Sequence, residues 1–502
     1  MSTAAATGGR TSLWLAHDGG PGPRPAALPA RADVVVLGGG IAGVTAAHRC
    51  AGAGASVLLI ERGRIAGVTT GRTTAKVTAG HGRRYAAMRD HDPDLARAYA
   101  ESQRWAVEET ARTAMAQGID CDLVETDHWV YSVSGLEWND MRAEGAAAAG
   151  LGLPAAFEGE TPLPFSTAGG AVRYRGQYRF DPVRYVRGLA AAARDAGAVI
   201  AEEVQADGIT DAASAGWRVR TPLGTVTGRS VIVATHVPFL ARGALWGRVG
   251  MRMAHVLAAP PAEGEWHLDE ATYVSTETPD HSLRIARGDG EQLLVVSGES
   301  HETGARVDRA ALEARLERWM RARYAVGEIR HRWAVQDAYS LDGVPHIGPL
   351  EHGLFAATGF GGWGMSNGTL AGALMADAAL GRPNEWARWY APRLLRGGPG
   401  GTAAVAAHNA KLGLRILADR IRSPQDAPDA AVRGHAAPVA ERRRPDGTVM
   451  RVSAVCTHLG CVVRWNDADE TWDCPCHGSR FADDGTVLEG PALRPLAPAD
   501  GP

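Results

Sequence analysis

The stretch ADVVVLGGGIAGVTAAHRCAGAGASVLLIERG, residues 32–63, predicts a strand, a tight turn, a helix and a second strand. Residues 32–37 and Val57–Ile60 are short apolar runs, and the second run ends in Glu61. Between them, the spacing G-x-G-x-x-G is supplied by Gly38, Gly40 and Gly43. These glycines permit the turn, let backbone approach a pyrophosphate and let the helix pack on the strand. The segment therefore predicts a dinucleotide site, with Glu61 placed to accept a ribose hydroxyl.

A second glycine-dense loop lies far along the chain, in HGLFAATGFGGWGMSNGTLAGALMADAAL, residues 352–380. Residues 354–357 read as a strand, and a helix of small residues follows the loop. Backbone N–H groups at the start of such a helix suit a reduced, anionic flavin ring. A second loop of this kind favours FAD over NAD, because FAD is bound at its two ends by distant segments. The alternative is a simple packing loop.

Four of the six cysteines lie in two short motifs, CTHLGC at 456–461 and CPCHGS at 474–479. Cys456, His458, Cys474 and His477 offer two thiolates and two imidazoles. Either a Cys₂His₂ zinc site or a [2Fe–2S] cluster fits that ligand set. Each loop contributes one cysteine and one histidine, which favours the cluster, because zinc fingers usually group like with like. The other two cysteines, Cys50 and Cys121, have no partner spacing and are expected to be small core residues.

The first part of the chain resembles the D-amino-acid oxidase/glycine oxidase superfamily of FAD-dependent oxidoreductases. The resemblance is carried by residues 61–85, 231–239, 332–350 and 358–368, including VIVATHVPF, in which His236 stands where the family has glycine. It implies an α/β (α+β), Rossmann-like FAD-binding domain with an inserted antiparallel-sheet substrate domain. The cofactor-binding residues that follow from the turn motif and the resemblance are Gly38, Gly40, Ala42, Gly43, Glu61, Arg62, Thr73, Thr74, Lys76, Val204, Gly359, Gly361, Gly362, Gly364 and Met365.

The C-terminal residues resemble the Rieske [2Fe–2S] fold, with both motifs present, which implies an all-β domain. The likeness implies that Cys456, His458, Cys474 and His477 hold the cluster and that Cys461 and Cys476 form a disulfide between its two loops. Ser479 matches the family serine that donates to a bridging sulfide, and Phe481 replaces the tyrosine of high-potential relatives. Both histidines are expected to present their second ring nitrogen at the surface, as an electron exit. The whole chain is similar to bacterial FAD-dependent oxidoreductases with a Rieske domain.

The predicted organisation has four parts. They are a flexible leader (1–29), an oxidoreductase domain (30–393), a linker (394–427) with a helix at about 403–421, and the Rieske domain (428–502). Within the second part, FAD-binding segments are expected at about 30–115, 180–240 and 335–393, and substrate segments at about 120–180 and 245–330.

These features predict a dehydrogenase that oxidises a small amine or amino acid at FAD and passes single electrons through the cluster. His81, Arg284 and His301 are candidate catalytic groups, and Arg284 could clamp a substrate carboxylate. The expected partner is a one-electron acceptor or donor, either a protein or a quinone. Flow could also run from the cluster to the flavin, and a non-catalytic electron-transfer or redox-sensing protein is the other class. A Rieske oxygenase would need a separate domain with a two-histidine, one-carboxylate iron site.

Charge and sequence pattern argue against a nucleic-acid-binding, membrane-spanning or secreted protein. The net charge of −3 argues against nucleic acid or an anionic membrane as a partner. No apolar run approaches the ~20 residues of a membrane span. The N-terminal residues lack the pattern of a signal peptide, so we expect a cytoplasmic protein.

Overall fold

The computed structural model describes most of the chain, namely residues 10–16, 20, 22, 25, 27–240, 242–264, 266, 270–288, 290–392, 398–421, 426–427, 429–434 and 438–499. Parts of the predicted leader and linker, and residue 428 at the predicted start of the Rieske domain, lie outside these ranges. The four-part division therefore stays a prediction.

The helices are α1 (Leu13–Ala16), α2 (Ile41–Gly52), α3 (Tyr85–His91), α4 (Pro93–Ala116), α5 (Trp138–Gly150), α6 (Pro182–Asp195), α7 (Arg309–Arg321), α8 (Gly364–Ala379), α9 (Ala387–Tyr390) and α10 (Gly398–Ile421). The strands are β1 (Arg31–Leu37), β2 (Val57–Ile60), β3 (Lys76–Val77), β4 (Val124–Tyr131), β5 (Ala155–Glu158), β6 (Ala171–Arg179), β7 (Val199–Ala201), β8 (Gly208–Asp211), β9 (Trp217–Thr221), β10 (Gly224–Val233), β11 (Val249–Ala259), β12 (Thr272–Ser275), β13 (Ser282–Gly288), β14 (Glu291–Glu302), β15 (His331–Ser340), β16 (His346–Glu351), β17 (Leu354–Thr358), β18 (Asp426–Ala427), β19 (Ala430–Arg433), β20 (Val439–Arg443), β21 (Val449–Ser453), β22 (Arg464–Asn466), β23 (Thr471–Asp473), β24 (Arg480–Phe481) and β25 (Val487–Glu489).

The first sheet is a mostly parallel α/β sheet with the strand order β16-β17-β10-β1-β2-β7. Strand β1 pairs in parallel with β2 and β10, and its residues Val34, Val35 and Val36 are fully buried. Helices α2 and α8 pack against each other. The first glycine turn follows β1 and the second follows β17, so both turns lie at the carboxyl ends of parallel strands. Ligands of open α/β sheets bind at this edge.

The second sheet, with the order β15-β11-β14-β13-β12-β4-β6-β3, is the inserted substrate sheet. Its pairs are antiparallel except for β4 with β12, which run parallel. Strand β15 at one edge pairs with β11 over ten register positions, from Val249 opposite Ser340 to Ala258 opposite His331. The expected fold class of the oxidoreductase part is confirmed, with this one parallel pair added.

The C-terminal part consists of two four-stranded sheets, β18-β19-β20-β21 and β22-β23-β24-β25, both antiparallel. The pair of cysteine motifs lies in loops flanking β22 and β23. This all-β architecture confirms the predicted class of that domain. None of the helices that the structure describes is long and apolar enough to cross a membrane.

Residues 10–16 correct the expectation of a flexible leader. Trp14 is 4% exposed, donates from Nε1 to the Thr73 carbonyl at 2.7 Å, and has the Arg284 guanidinium 5.1 Å from its ring centroid. Arg10 Nη1 donates to Glu313 Oε1 at 2.6 Å. The segment is anchored because a buried indole with a satisfied N–H and a cation–π partner is strongly stabilising.

Helix α10 spans the predicted linker helix and contacts both domains. Asn409 Nδ2 donates to the Gly247 carbonyl at 2.7 Å, and Lys411 pairs with Glu302 at 2.6 Å. Arg415 Nη1 donates to the Pro475 carbonyl at 2.8 Å, next to the second cysteine motif.

Candidate functional site

A cavity of about 1280 Å³ lies among the described residues. It runs from the first glycine turn, past the second glycine loop, to the substrate sheet, and residues 489–493 of the C-terminal domain close one side of it. Its volume exceeds the ~300–1,000 Å³ typical of small-ligand pockets. A long ligand and a separate small molecule can therefore share it.

The first glycine turn has no room for side chains. Gly38 has φ +106°, and a Cβ there would lie 2.3 Å from the Ala234 carbonyl oxygen. A Cβ on Gly43 would lie 1.9 Å from the Gly38 oxygen, so the helix sits directly on the turn. Glu61 accepts from the N–H groups of Gly39 at 2.6 Å and Gly63 at 2.7 Å. Burial raises the pKa of Glu61, although those two donors act to lower it.

The segment after β2 brings Thr73, Thr74 and Lys76 to the cavity wall, together with Arg62. Lys76 Nζ donates to Thr74 Oγ1 at 2.9 Å and contacts Ser282 Oγ. Burial, and then the charge of Arg284, hold the pKa of Lys76 well below its usual range. A buried amine with no carboxylate bonded to it among the described residues can regain its charge beside an anionic group in the cavity.

The second glycine loop is held at the start of α8. Gly361 N donates to the Ala338 carbonyl at 2.9 Å, and Gly362 N donates to Asp337 Oδ2 at 2.6 Å. Both glycines have positive φ, and a Cβ on Gly362 would lie 3.3 Å from the Tyr339 hydroxyl. Gly364 and Met365 also line the cavity. Gly40 and Ala42 of the first turn, and Val204 after β7, line the cavity as well, whereas Gly359 does not.

His81 is buried beneath this loop and lines the cavity. Its ring stacks on Trp363 with a 4.8 Å centroid separation, and Nδ1 lies 2.7 Å from the Tyr99 hydroxyl. Nε2 lies 2.7 Å from the Thr78 carbonyl, so Nε2 carries the proton and Nδ1 accepts. Burial holds the pKa of His81 well below its usual range, with Arg84 adding to the effect. A neutral ring with both nitrogens in use is suited to positioning the loop.

The position of Arg284 corrects its expected role. It does not line the cavity, and Nη1 donates to the carbonyls of Ala75 at 2.6 Å and Phe180 at 3.2 Å. Its guanidinium therefore joins the segment after β2 to the end of β6, away from the cavity wall, and is not placed to clamp a substrate carboxylate. Sequence could not show this, because the partners are backbone atoms of distant segments. Arg252, stacked 5.8 Å over Tyr339, is a guanidinium that does line the cavity.

His301 lines the cavity further from the glycine loops. It stacks on the fully buried His255, with ring centroids 5.4 Å apart. Burial and His255 lower the pKa of His301 to about 4, so it is neutral at pH 7.

His236 lies at the turn after β10 with φ +65°. The left-handed conformation explains why glycine is the family residue at this turn. The His236 ring lies 3.4 Å from Asp337 and 3.4 Å from the Thr69 hydroxyl, and it lines the cavity.

The two cysteine motifs form paired turns. Cys456 N donates to the Cys461 carbonyl at 2.9 Å, and Cys474 N donates to the Ser479 carbonyl at 2.8 Å. A disulfide joins Cys461 and Cys476 across the two turns. The sulfurs of Cys461, Cys474 and Cys476 lie within 4.8 Å of one another, but the disulfide leaves only Cys474 of these three free to ligate.

Cys456, Cys474, His458 and His477 come together at the tips of these turns. The Cys474 thiol donates to Cys456, which lowers the pKa of Cys456 to about 7. The His458 and His477 rings lie 5.1 Å apart, and their Nδ1 atoms are buried without a hydrogen-bond partner among the described residues. The two turns thus carry a pair of adjacent thiols and a pair of imidazoles with unpartnered Nδ1 atoms, a donor set that fits a metal cluster, because buried polar atoms are otherwise satisfied.

We expected both histidines of the motifs to be open to solvent, but His477 is buried. His477 is 3% exposed, and its ring makes an edge contact with Trp246 at 5.1 Å. Gly478 packs so closely that a Cβ would lie 2.7 Å from Gln336 Oε1 and 2.9 Å from Met251. The expected surface exit is therefore wrong for His477, because the oxidoreductase domain covers it.

At Gln336, only strand β15 lies between the second cysteine turn and the cavity. On β15, Val335 and Asp337 line the cavity, whereas Gln336 points the other way, as strand pleating requires. Gln336 Nε2 donates to the Gly478 carbonyl at 2.9 Å and to Glu489 Oε2 at 3.2 Å. Its own carbonyl accepts from the hydroxyl of Thr69, which lines the cavity. Sequence reasoning missed this residue, because no local pattern marks a contact 142 residues away.

Two family models match the chain. The FAD dependent oxidoreductase model (DAO) matches residues 33–378, and the Rieske [2Fe-2S] domain model matches residues 420–499. The putative Rieske 2Fe-2S iron-sulfur protein YhfW of Bacillus subtilis (strain 168) is 31% identical over 483 residues, covering 93% of each chain.

Solved structures show the same fold for the first domain. Glycine oxidase from Geobacillus kaustophilus has a TM-score of 0.57 at 22% identity and covers 71% of this chain and 96% of its own. L-proline dehydrogenase from P. horikoshii has a TM-score of 0.58 at 19% identity, covering 73% and 98%. At these identities the likeness establishes the fold alone.

Proposed function

The chain belongs to the FAD-dependent oxidoreductase (DAO) family, binds FAD and carries a Rieske domain that binds a [2Fe–2S] cluster, and we propose that it is a dehydrogenase. In this proposal it oxidises a small amine or amino acid and passes the electrons singly to an external acceptor. FAD supplies a two-electron acceptor for hydride, and the cluster supplies a one-electron carrier.

The observation that carries the proposal is that, at Gln336, only strand β15 lies between the cavity and the second cysteine turn. Val335 and Asp337 face the cavity, and Gln336 between them contacts the turn that contains His477. Docking of this kind keeps the two cofactor sites on opposite faces of β15. It supports electron exchange within one chain, which an oxidase that uses oxygen directly would not need.

We assign FAD to the cavity along its two glycine loops. The first turn and Glu61 are placed for the adenosine and pyrophosphate end, and the second loop and Lys76 for the flavin end. His81 holds the second loop through Trp363, which supports a positioning role for it. We assign the cluster to Cys456, His458, Cys474 and His477, supported by the unpartnered Nδ1 atoms of the two histidines.

Substrate is proposed to bind between the second glycine loop and the substrate sheet. Tyr339 and Arg252 are the polar groups stacked there, and Arg252 also donates to Ser300 Oγ at 3.0 Å. A guanidinium at this place can pair with a carboxylate in a bidentate manner. His301 also lines the cavity, but with a pKa of about 4 it is too weak a base to take a proton from a substrate ammonium.

The test is anaerobic mixing of the protein with a panel of amines and amino acids, following flavin absorbance and the EPR signal of the reduced cluster together. The proposal expects one compound to bleach the flavin, with the cluster signal growing afterwards. Reduction of both centres by electron-carrier proteins, with no compound bleaching the flavin, would contradict it and favour flow towards the flavin.

A matched pair of variants separates the two centres. Cys474→Ala removes a proposed cluster ligand, so substrate should still bleach the flavin while the EPR signal and acceptor reduction are lost. Cys50→Ala changes an equally buried thiol remote from both motifs and should retain both signals. If Cys474→Ala keeps the EPR signal, the ligand assignment is wrong.

A further inference from the structure

The C-terminal domain forms part of the large cavity. Its segment 489–493, which begins at the last residue of β25, lines the cavity together with Glu61, Arg62 and Val204. By the geometry of dinucleotide-binding βαβ units, the acidic residue after the second strand marks the ribose of the adenosine half. The segment therefore lies over the adenosine end, and its first residue, Glu489, also reaches Gln336 of β15.

Two hydrogen bonds fix the segment to that end of the oxidoreductase domain. Arg62 Nη2 donates to the Leu488 carbonyl at 2.6 Å, and Gln205 Nε2 donates to the Leu493 carbonyl at 2.5 Å. Arg62 and Gln205 directly follow Glu61 and Val204 in the sequence. The donors therefore sit beside the groups that would meet the ribose and adenine.

The same segment is tied to the cluster turns. Ala492 N donates to Ser479 Oγ at 3.0 Å, and Glu489 pairs with Arg480 at 3.0 Å. Arg72 of the oxidoreductase domain lies 3.5 Å from Glu489 on the other side. The segment is thus a short buried connection between the adenosine end of the cavity and the turn that carries Cys474.

We propose that segment 489–493 of the Rieske domain is a wall of the FAD site that closes over the adenosine half. FAD binding and docking of the Rieske domain then stabilise each other, because any coupling between two binding events is reciprocal. The proposal rests on the FAD assignment of the cavity and does not require the dehydrogenase activity.

The first test uses the full chain after removal of its flavin. Hydrogen exchange of the backbone amides of Glu489, Gly490, Ala492 and Leu493 is measured with and without added FAD. The proposal expects FAD to slow exchange at these amides, and at those of the first glycine turn, by a similar factor. Slowing at the glycine turn with unchanged exchange in the segment overturns it.

The second test changes only the Rieske side. Gly490 lines the cavity, its φ is not positive, and the nearest atom to a Cβ there is Ala492 N at 4.0 Å, so a side chain can be added. Gly490→Glu places a negative charge near the FAD phosphates and is expected to weaken FAD binding by about tenfold or more, the effect of ~1.4 kcal/mol. Flavin fluorescence during titration measures the affinity.

Thr486→Glu is the matched control, because Thr486 is exposed in the same domain and does not line the cavity. The EPR signal of the cluster reports whether each variant domain is folded. Gly490→Glu with a normal EPR signal and a Kd for FAD within twofold of Thr486→Glu overturns the proposal. Because no substrate is present, either result leaves the test of the dehydrogenase separate.

Discussion

Replacing Gln336 with leucine tests whether electrons cross β15. Gln336 is 2% exposed and donates to the Gly478 carbonyl at 2.9 Å and to Glu489 at 3.2 Å. A neutral hydrogen bond contributes about 0.5–1.5 kcal/mol net, and one to a charged group about 1.5–3 kcal/mol. Leucine keeps the volume but removes both bonds, so docking should weaken by roughly 2–4 kcal/mol.

That loss corresponds to a roughly 30- to 1000-fold change in the local docking equilibrium. Arg415 and Arg309 still tether the domain through Pro475 and Trp465, so the turn should loosen without separating. Electron transfer slows as the distance between two redox centres grows. We therefore expect cluster reduction after flavin reduction to be slower in the variant than in the unchanged protein.

The assay is a single-turnover experiment in which light reduces the flavin and EPR follows the cluster, so no substrate is needed. Gln177→Leu serves as control, because Gln177 is also buried and bonds to backbone, at Ala79 N and the Arg175 carbonyl. Flavin photoreduction should be equal in both variants. An unchanged cluster rate in Gln336→Leu, with faster amide exchange at Gly478, would refute transfer across this strand.

Three further predictions concern stability. Replacing both Cys461 and Cys476 with alanine should lower the free energy of unfolding of the Rieske domain by about 3 kcal/mol, as expected for closing a short loop, and denaturant unfolding followed by cluster absorbance measures it. Trp14→Ala should destabilise the oxidoreductase domain by about 3–5 kcal/mol in a denaturant titration, since it leaves a cavity in the core, whereas a mobile leader would show no change. Burial alone would raise the pKa of Glu489, but the charges of Arg480 and Arg72 hold this pKa below the usual value of 4.5. The stabilisation is therefore present above that pH and lost as pH falls below it, and Glu489→Gln should flatten this pH dependence; equal acid sensitivity in the variant would contradict the assignment.

Local patterns predicted the parts of the molecule whose partners are near in sequence. Gly38 and Gly43 meet within one turn and Glu61 follows the next strand, so spacing alone placed the first cofactor loop. The two cysteine motifs likewise form turns closed by their own backbone bonds. Residue type and spacing contain this information because the groups that contact each other here are close together in the sequence.

Contacts between distant segments could not be read in the same way. Arg62 meets Leu488 across 426 positions, and Arg284 was assigned to the cavity although its partners are carbonyls of Ala75 and Phe180. A guanidinium looks the same in sequence whether it meets substrate or backbone. Trp14 was assigned to a leader because the first 30 residues are rich in glycine, proline and alanine, while the surface that buries it is built by later residues.

The contacts of helix α10 with both domains affect the kinetics of electron exchange between the two cofactor sites. Its contacts with Gly247 and Glu302 on one domain and with Pro475 on the other make the two cofactor sites parts of one body. Exchange between separate carriers is second order and is steered by charges that salt screens. Exchange inside a tethered pair is first order, so neither dilution nor ionic strength sets its rate. Only the final step, to the external acceptor, retains the dependence on concentration and salt of a diffusional encounter.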